Sequence, residues 1–388
     1  MPIPISIPIQ AREFLMIPGP TPVPDAVLEA IARHPIGHRS AEFSKVVEDV
    51  TANLKWLGQT ESDVAVLTAS GTGGMEAAIS NTVSPGDKVL SLVCGVFGER
   101  WAKIAEAFGA QVERLKVAPG TAIGADSLEE KLQSGSYAAV TITHNETSTG
   151  VINDLQKLVA VCKKHNVLSI VDAVTSFGAV PLPIDEWGVD VLVTGSQKAL
   201  MLPPGLGIIF FGERAWAAKA NCKSHSFYFD LAKYRKSTKE NSTPFTPNVS
   251  LFCGLQASLK MIKDEGAESI AARHHRLRKT LRAGLEAMGL QLFVDESCAS
   301  PTITAIKPPE GITVDAIRKS LKGQYRITVA DGQEELKGQI FRIGHMGYVS
   351  DRDILMTLAC LEATLTQLGY HTEPGKAMQA AAQLLAAR

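Results

Sequence analysis

The chain has 388 residues, of which 45% are apolar and 20% charged, a composition typical of a globular protein with two or three domains. Its 39 basic and 40 acidic residues give a formal net charge of −1, so there is no basic field to attract nucleic acid or a membrane surface. The six cysteines include no CxxC pair, which argues against a metal held by thiolates and suits a reducing cytoplasm. We therefore expect a cytoplasmic protein without a metal and without a membrane span.

The first two thirds of the chain alternate strand-like and helix-like segments. Prolines in the stretch MPIPISIPIQ favour an extended N-terminal arm, predicted over residues 1–16. Between residues 17 and 264, seven runs have the length and composition of strands: VAVLT at 64–68, KVLSLV at 88–93, QVERLKV at 111–117, YAAVTITH at 137–144, VLSIVDAV at 167–174, VDVLVTGS at 189–196 and GIIFFG at 207–212. Apolar strands that alternate with helices predict an α/β domain whose mainly parallel sheet is sandwiched by helices.

The pattern changes near residue 265. A long helical segment at 267–288 is followed by short strand-like runs, LQLFV, TITAI, YRITV and QIFRIG, with helices between them. We predict a smaller α+β domain over residues 265–371. The alanine-rich tail at 372–388 fits either a helix or a disordered end, and it is assigned no function.

Two polar turns follow predicted strands of the large domain, and ligands of open α/β sheets bind at such strand ends. The turn SGTGGMEA at 70–77 combines glycines, a helix start and the Thr72 hydroxyl, which favour phosphate, although a tight turn without a ligand is equally open. A dinucleotide site is a rival, but the full GxGxxG spacing is absent. The segment HNETSTG at 144–150 is a second candidate for ligand binding, and a polar loop without a ligand is the alternative. Within it, Thr147 is better placed to contact a ligand, whereas Glu146 could have a structural role.

An aspartate and a lysine complete the set of candidates. Asp172 ends an apolar run, and a buried carboxylate there needs a cation or a strong donor, unless it is a helix cap or part of a salt bridge. Lys198 follows another apolar run, where loss of solvent would lower its pKa and let it attack a carbonyl as a free amine; a solvated surface lysine is the alternative. A phosphate cradle, an acid for a ring nitrogen and a lysine for an aldehyde together fit one cofactor, pyridoxal 5′-phosphate.

Seven short motifs lie between residues 16 and 347, within a resemblance that covers about residues 16–368: MIPGPTPVP, SGTGGMEA, FGERW, HNETSTGV, VDAVTSFG, TGSQKAL with the following PPG, and FRIGHMG. With them the chain resembles the class V aminotransferases of pyridoxal-phosphate fold type I, in the branch of alanine–glyoxylate, serine–glyoxylate and serine–pyruvate aminotransferases. The resemblance implies a large cofactor-binding domain with a mainly parallel, seven-stranded type of sheet, a smaller C-terminal domain, and transaminase activity.

The resemblance also implies a role for each residue that matches a motif. Lys198 matches the lysine that holds the cofactor aldehyde, and Asp172 matches the acid at the pyridine nitrogen. The further cofactor contacts implied are Thr72, Gly73, Gly74, Phe97, Thr147, Gln197 and Thr246. Phe97 stands where the family stacks an aromatic ring, often tryptophan, on the cofactor, and this departure can alter stacking or substrate fit. Gly74 occupies a place where some members carry a larger side chain.

Three residues are implied in substrate binding. Arg342 matches the arginine that clamps the substrate carboxylate, and a planar guanidinium can do so through two parallel hydrogen bonds. A salt bridge within the small domain is the alternative. His38 and Arg39 fall where the family has a pair that reaches the neighbouring subunit's site, and Thr246 falls in a loop that touches the partner's phosphate. Sites shared in this way imply a homodimer.

The predicted function is transfer of the amino group of serine or alanine to glyoxylate or pyruvate. A lyase or desulfurase with the same cofactor is one alternative, with Cys298 as the candidate nucleophile, although no obvious cation adjoins it to favour a thiolate. A nicotinamide-dependent dehydrogenase is another, but it leaves Lys198, Asp172 and Arg342 without a joint role. A noncatalytic subunit that kept the fold is the last, and the intact lysine and aspartate argue against it.

Overall fold

The computed structural model of the protein describes residues 13–387, so most of the predicted N-terminal arm lies outside the described residues. Its strands are β1 (Phe14–Leu15), β2 (Asp63–Thr68), β3 (Lys88–Val93), β4 (Gln111–Lys116), β5 (Ala139–Thr143), β6 (Asn145–Glu146), β7 (Val151–Ile152), β8 (Leu168–Asp172), β9 (Val191–Gly195), β10 (Leu206–Phe211), β11 (Ile303–Ile306), β12 (Ile327–Thr328), β13 (Ala330–Asp331) and β14 (Phe341–Gly344). Its helices are α1 (Asp25–Ile31), α2 (Ala41–Gly58), α3 (Gly71–Thr82), α4 (Val96–Ala107), α5 (Ala125–Ser134), α6 (Leu155–Lys164), α7 (Ile184–Trp187), α8 (Glu213–Asn221), α9 (Leu231–Lys239), α10 (Val249–Glu265), α11 (Ala267–Ala287), α12 (Val314–Tyr325), α13 (Asp351–Gln367) and α14 (Lys376–Ala386).

A seven-stranded sheet forms the centre of the molecule, in the order β2-β10-β9-β8-β5-β3-β4. Neighbouring strands are parallel except at β10, which runs antiparallel to both β2 and β9. Each of the seven strands falls within or overlaps one of the runs predicted from the sequence, and the mainly parallel α/β fold is confirmed. Because the parallel strands point the same way, the loops that follow β2, β3, β5, β8 and β9 meet at one edge of the sheet.

Strand β2 shows why the sheet is covered on both faces. Successive strand side chains point to opposite faces, so Val64 and Val66 join a core with α2 and α10, whereas Ala65 and Leu67 join a second core with α3 and α4. The same alternation in the other apolar strands produces two hydrophobic layers, one on each side of the sheet.

The C-terminal part has a core of its own, built from α11, α12, α13 and the antiparallel sheet β11-β14-β13. The start of the described chain also belongs here, because β1 pairs in parallel with β12 and Met16 is fully buried in this core. The run LQLFV, expected to be a strand, makes only an isolated bridge between Leu292 and Ile306. Two backbone hydrogen bonds flank this bridge, from the Phe293 N–H to the Ala305 carbonyl oxygen and from the Lys307 N–H to the Gln291 carbonyl oxygen, both at 2.9 Å. The run therefore lies beside the edge strand β11 without forming a regular strand of its own.

The alanine-rich tail contains the helix α14, which packs against α11 and buries Ala377 and Ala381 in the C-terminal core. Small side chains on one face of α14 allow this close packing. The domain boundaries drawn from the sequence remain a prediction. Among residues 13–387, none of the helices combines the length and the apolar character needed to cross a bilayer.

Candidate active site

Two adjoining cavities open where the strand ends meet. The first has a volume of about 270 Å³ and is lined by the turn at the start of α3 and by the loops after β8 and β9. The second has a volume of about 410 Å³ and lies between these loops and the C-terminal part. Gly19, Phe97, Thr147 and Lys198 line both cavities, so the two form one continuous candidate site.

Lys198 lies at the junction of the two cavities, in the loop that follows β9, and is only 8% exposed. Its Nζ donates a hydrogen bond to the carbonyl oxygen of Pro18. Desolvation by burial lowers the Lys198 pKa to about 8, an effect that Asp172 opposes and that Arg342 and Arg100 reinforce. A lysine with this pKa exists partly as the free amine near neutral pH, the form that reacts with an aldehyde.

Gly19 allows the chain to pass directly over this lysine. Its φ is +133°, and a Cβ built there would lie 2.8 Å from Cδ, Cε and Nζ of Lys198. Any side chain at position 19 would therefore displace the amine as well as strain the backbone. The backbone of the motif MIPGPTPVP thus covers the Lys198 side chain.

Asp172 ends β8 and is almost fully buried at 4% exposure. Its Oδ1 accepts the Val174 amide N–H at 2.8 Å, which is the single hydrogen bond of this carboxylate within residues 13–387. Desolvation raises the Asp172 pKa to about 6, and the Val174 hydrogen bond only partly offsets this effect. A buried carboxylate with so little compensation is the type of group that a protonated ring nitrogen would stabilise.

The start of α3 has the features of an anion cradle. The Ser70 hydroxyl caps the helix by accepting the Gly73 N–H at 3.4 Å, and Ser70, Gly71 and Thr72 line the first cavity. Arg100 reaches the same place from α4 and donates from Nη1 to Thr72 Oγ1 at 3.0 Å. The helix terminus, a hydroxyl and a guanidinium therefore converge on one position that favours a phosphate.

Gln197 completes this side of the cavity. It lines the first cavity, and its Oε1 is buried without a hydrogen-bond partner among the described residues. Such an atom is costly in a folded protein unless a ligand or water satisfies it. A 180° rotation of the amide would present its NH₂ group at the same position, where it could donate to a phosphate oxygen.

Phe97 is fixed from two directions. The Arg100 guanidinium carbon lies 4.5 Å from the ring centroid, a cation–π contact. The backbone N–H groups of Phe97 and Gly98 each donate to Glu146 Oε2 at 3.1 Å, and the N–H and hydroxyl of Ser148 donate to Oε1 at 3.0 and 2.6 Å. Glu146 therefore has the structural role considered for it in the sequence, since it ties α4 to the loop after β5.

Thr147 connects the cofactor side of the site to the C-terminal part. Its Oγ1 lies 2.7 Å from Thr175 Oγ1 at the wall of the first cavity. Its carbonyl oxygen accepts a hydrogen bond from Nη1 of Arg342 at 2.7 Å. The hydroxyl pair is available to a ring substituent of a ligand, while the carbonyl orients the arginine.

Arg342 lies on β14, is 5% exposed and lines the second cavity. Nε and Nη2 donate to the carbonyl oxygen of Asp331 at 2.9 and 2.6 Å, and Nη1 also donates to Gln333 Oε1 at 3.1 Å. Burial lowers the Arg342 pKa to about 10, so the guanidinium stays charged at neutral pH. No carboxylate in residues 13–387 is within ion-pair distance of it, which leaves a buried cation available to a carboxylate of a ligand.

Five of the predicted residues lie outside both cavity linings. His38 is half-buried, Arg39 is exposed and donates to Ser242 Oγ at 2.7 Å and Thr243 O at 2.6 Å, and Thr246 is exposed. Gly73 contributes a capped amide, whereas Gly74 serves close packing, because a Cβ there would lie 2.7 Å from Val193 Cγ1. Their predicted contacts with the cofactor, or with a partner's site, stay predictions.

The structure also brings in residues that the sequence did not single out. They are Gly19, Ser70, Arg100, Val174 and Thr175 around the first cavity, and Asp331 and Gln333 around the second. Most lie inside motifs already recognised: Arg100 is one helical turn after Phe97 in FGERW, and Thr175 follows Asp172 in VDAVTSFG. Cys298 lines neither cavity, and burial raises its pKa, which opposes the thiolate that a desulfurase would need.

These residues fit pyridoxal 5′-phosphate: the helix terminus with Thr72 and Arg100 suits the phosphate, Asp172 suits the ring nitrogen, and Lys198 suits the aldehyde. Together, the fold and the site define a pyridoxal-phosphate-dependent aminotransferase of fold type I. The chain belongs to the Aminotransferase class-V family, whose sequence model matches residues 14–348. The dehydrogenase alternative is therefore wrong.

Curated relatives cover nearly the whole chain. A protein named soluble hydrogenase 42 kDa subunit, from Anabaena cylindrica, is 50% identical over 96% of this chain and 98% of its own length. An L-aspartate–glyoxylate aminotransferase from Paracoccus denitrificans is 37% identical over 95% of this chain and 94% of its own. A serine–glyoxylate aminotransferase from Arabidopsis thaliana is 36% identical over 96% of this chain and 95% of its own.

A solved structure has the same overall architecture. The ureidoglycine–glyoxylate aminotransferase from Bacillus subtilis superposes with a TM-score of 0.94 at 32% identity, covering 97% of this chain and 99% of that one. The three relatives named as aminotransferases act, by their names, on different amino donors, but all share glyoxylate.

Proposed function

We propose that this protein transfers the amino group of a small L-amino acid, serine or alanine, to glyoxylate or pyruvate. Serine would leave as hydroxypyruvate and alanine as pyruvate, and glyoxylate would become glycine. The observation that carries the proposal is the buried, unpaired charge of Arg342 in the cavity that adjoins Lys198. Such a guanidinium can hold the carboxylate common to all these substrates.

Pyridoxal 5′-phosphate, when bound, supplies an aldehyde for the amine and a protonated ring that withdraws electrons from the substrate Cα. Asp172 would keep the ring nitrogen protonated by accepting its N–H. The start of α3, Thr72, Arg100 and Gln197 would hold the phosphate. Lys198 Nζ, once released, would take the proton from the substrate Cα and return it during transfer, which its lowered pKa near 8 favours.

Glyoxylate is supported as acceptor by the names of the three aminotransferases described above, which have it in common while their donors differ. Pyruvate stays an acceptor in the proposal, because a similar solved structure is named pyridoxamine–pyruvate aminotransferase. A small cavity of about 410 Å³ on the substrate side also suits small amino and oxo acids. The hydrogenase name of the Anabaena relative supports no such assignment here, because it gives Lys198, Asp172 and Arg342 no joint role.

We also propose that the functional unit is a homodimer in a reducing cytoplasm. The support is that His38, Arg39 and Thr246 lie away from the cavities of their own chain, although the family resemblance gives them a part in a partner's site. Sedimentation with and without the cofactor would test this, and a strictly monomeric active enzyme would contradict it.

The test of the reaction is a small grid of donors and acceptors with the purified, cofactor-loaded protein. Serine, alanine and aspartate are each paired with glyoxylate and with pyruvate, and product amino acids are measured by mass spectrometry. We expect glycine from glyoxylate with serine or alanine as donor. If neither serine nor alanine yields glycine from glyoxylate, and serine does not convert pyruvate to alanine, the proposed reaction is wrong, even where aspartate is used.

A further inference from the structure

A second arginine lines the substrate side of the site. Arg318, on α12, lines the same cavity as Arg342, Lys198 and Thr147, and about a third of its side chain (34%) is exposed. Its positive charge contributes to the lowered pKa of Arg342, so the two guanidinium groups are close enough to repel. The cavity thus presents two cations of fixed charge instead of the one that a monocarboxylic substrate needs.

The two arginines differ in how their donors are used. Arg342 makes four hydrogen bonds from three nitrogens, all to carbonyl or amide oxygens that fix its position. Arg318 makes a single hydrogen bond within residues 13–387, from Nε to the Val329 carbonyl oxygen at 3.1 Å. Its two terminal nitrogens carry four N–H groups, and these have no hydrogen-bond partner in the described part of the chain.

Asp331 contacts both arginines, but its carboxylate does not form a close ion pair with either guanidinium group. Its carbonyl oxygen holds Arg342, while its carboxylate accepts the Gly338 N–H at 2.9 Å and lies 3.5 Å from Nη1 of Arg318. That separation is longer than the ~2.7–2.9 Å of a strong charge-assisted hydrogen bond. Arg318 is therefore held in place by a loose ion pair, and this cavity-lining residue keeps terminal N–H groups that no hydrogen bond uses within residues 13–387.

We propose that Arg318 is a second carboxylate-binding position, which lets this enzyme take a dicarboxylic amino acid of the aspartate type as an amino donor. In this arrangement Arg342 binds the α-carboxylate and Arg318 binds the distal one. The inference rests on the proposed transaminase function and extends its donor range beyond serine and alanine. It excludes long basic donors, whose distal charge would meet Arg318.

Kinetics with matched donors test this directly. For wild type we expect aspartate with glyoxylate to be used, and Arg318→Gln to lower the aspartate-to-alanine ratio of kcat/KM by at least about tenfold. Lys322→Gln is the matched control: it removes a positive charge one turn further along α12, where Lys322 pairs with Glu13 outside the cavity. This control should leave the ratio within about twofold, the range typical of a surface charge.

Two kinetic results would overturn the proposal. One is an enzyme that uses alanine or serine but not aspartate. The other is an Arg318→Gln variant in which alanine and aspartate turnover fall equally, because that result would mean Arg318 only positions Asp331 and Arg342.

A binding measurement keeps the inference testable if no amino transfer is found at all. Succinate and propionate differ by one carboxylate, so their dissociation constants for the cofactor-loaded protein, measured by calorimetry, report the second position without turnover. We expect succinate to bind at least about tenfold tighter than propionate, with the difference lost in Arg318→Gln and kept in Lys322→Gln. Equal binding of the two acids to the wild type would refute the second position, whatever becomes of the transaminase assignment.

Discussion

Nη1 of Arg342 donates to the carbonyl oxygen of Thr147 at 2.7 Å, and this bond joins the small C-terminal sheet to the loop after β5. Thr147 lines both cavities, so the same residue that faces the cofactor side also orients the group for the substrate carboxylate. Under the proposed function, this short, buried contact would fix the position of the substrate carboxylate relative to the cofactor. Substitutions at Arg342 should consequently affect binding of donor and acceptor alike.

Replacing Arg342 by lysine should raise the KM of both amino donor and oxo acid while changing kcat less. Lysine keeps the charge but not the planar set of N–H donors that four hydrogen bonds hold in position, and a charge-assisted hydrogen bond contributes ~1.5–3 kcal/mol. We expect kcat/KM to fall by roughly 10- to 100-fold, with a larger loss for Arg342→Ala. Steady-state kinetics on both substrates measure this, and an unchanged KM in both variants would remove Arg342 from carboxylate binding.

Replacing Arg100 by methionine should weaken retention of the cofactor. The substitution keeps much of the packing on the Phe97 ring but removes the guanidinium that meets Thr72 Oγ1 at 3.0 Å. We expect an apparent cofactor Kd about tenfold higher, measured by absorbance after equilibrium dialysis, because one charged donor to phosphate is lost. Arg114→Met is a fair control, since Arg114 pairs with Glu99 and Glu106 away from the cavities. Equal cofactor retention by Arg100→Met and wild type would contradict a phosphate role.

Replacing Asp172 by asparagine should stabilise the cofactor-free protein and lower the activity of the cofactor-loaded protein. In the cofactor-free protein the Asp172 pKa is raised to about 6 by burial, so its carboxylate destabilises the folded state at neutral pH. The neutral amide should therefore stabilise the cofactor-free protein by up to roughly 3 kcal/mol at about pH 7.5, and this difference in unfolding free energy shrinks as pH falls below about 6.

The cofactor-loaded variant should lose roughly 100-fold or more in kcat, since a buried ion pair is broken. Thermal unfolding at two pH values and steady-state kinetics check both halves, and a variant as active as wild type would contradict the ring-nitrogen role.

Buried histidines should make the protein sensitive to acid. His274 and His345 are fully buried, and desolvation lowers the pKa of each to about 3. Because these pKa values lie below the value of about 6.5 in an unfolded chain, the unfolded state takes up protons first as the pH falls. Stability is thus complete above about pH 6.5 and decreases below it, by up to ~1.4 kcal/mol per pH unit for each histidine.

Urea unfolding between about pH 7.5 and 5 measures this dependence. His345→Gln should flatten the slope below about pH 6.5, because it removes one of the buried histidines whose protonation favours unfolding. His371→Gln is a control, since His371 is exposed after α13. A slope that is the same in wild type and in His345→Gln would show that this histidine does not contribute.

Local pattern in the sequence predicts a large part of this fold. Six of the seven strands of the large sheet are apolar and most are separated by helices, so their existence and burial follow from periodicity. Strand β4, at the edge of the sheet, is polar and only partly buried. The sequence also indicated several site residues, because each ends or follows such a strand and the carboxyl ends of parallel strands meet at one edge of the sheet. These residues are Lys198, Asp172, Thr72 and Thr147.

Contacts made over long sequence separations could not be found in the same way. Gly19 contacts Lys198 across a long separation in sequence, and no periodic signal relates the two. Asp331, at the end of β13, and Gln333, in the loop after it, hold Arg342 through contacts that no local pattern indicates. In the sequence, Arg318 looks like an ordinary charged residue on an amphipathic helix. Only the folded structure shows that it lines the same cavity as Arg342.

The assignment of Lys198 as the residue that holds the cofactor aldehyde is central to the proposed function, and one measurement tests it most directly. The loaded protein is reduced with borohydride, digested, and searched by mass spectrometry for the lysine that carries the phosphopyridoxyl group. We expect the modification on Lys198 alone, together with loss of the visible cofactor absorbance and of amino transfer in the Lys198→Ala variant. Modification of a different lysine, or full transaminase activity in the Lys198→Ala variant, would contradict the assignment.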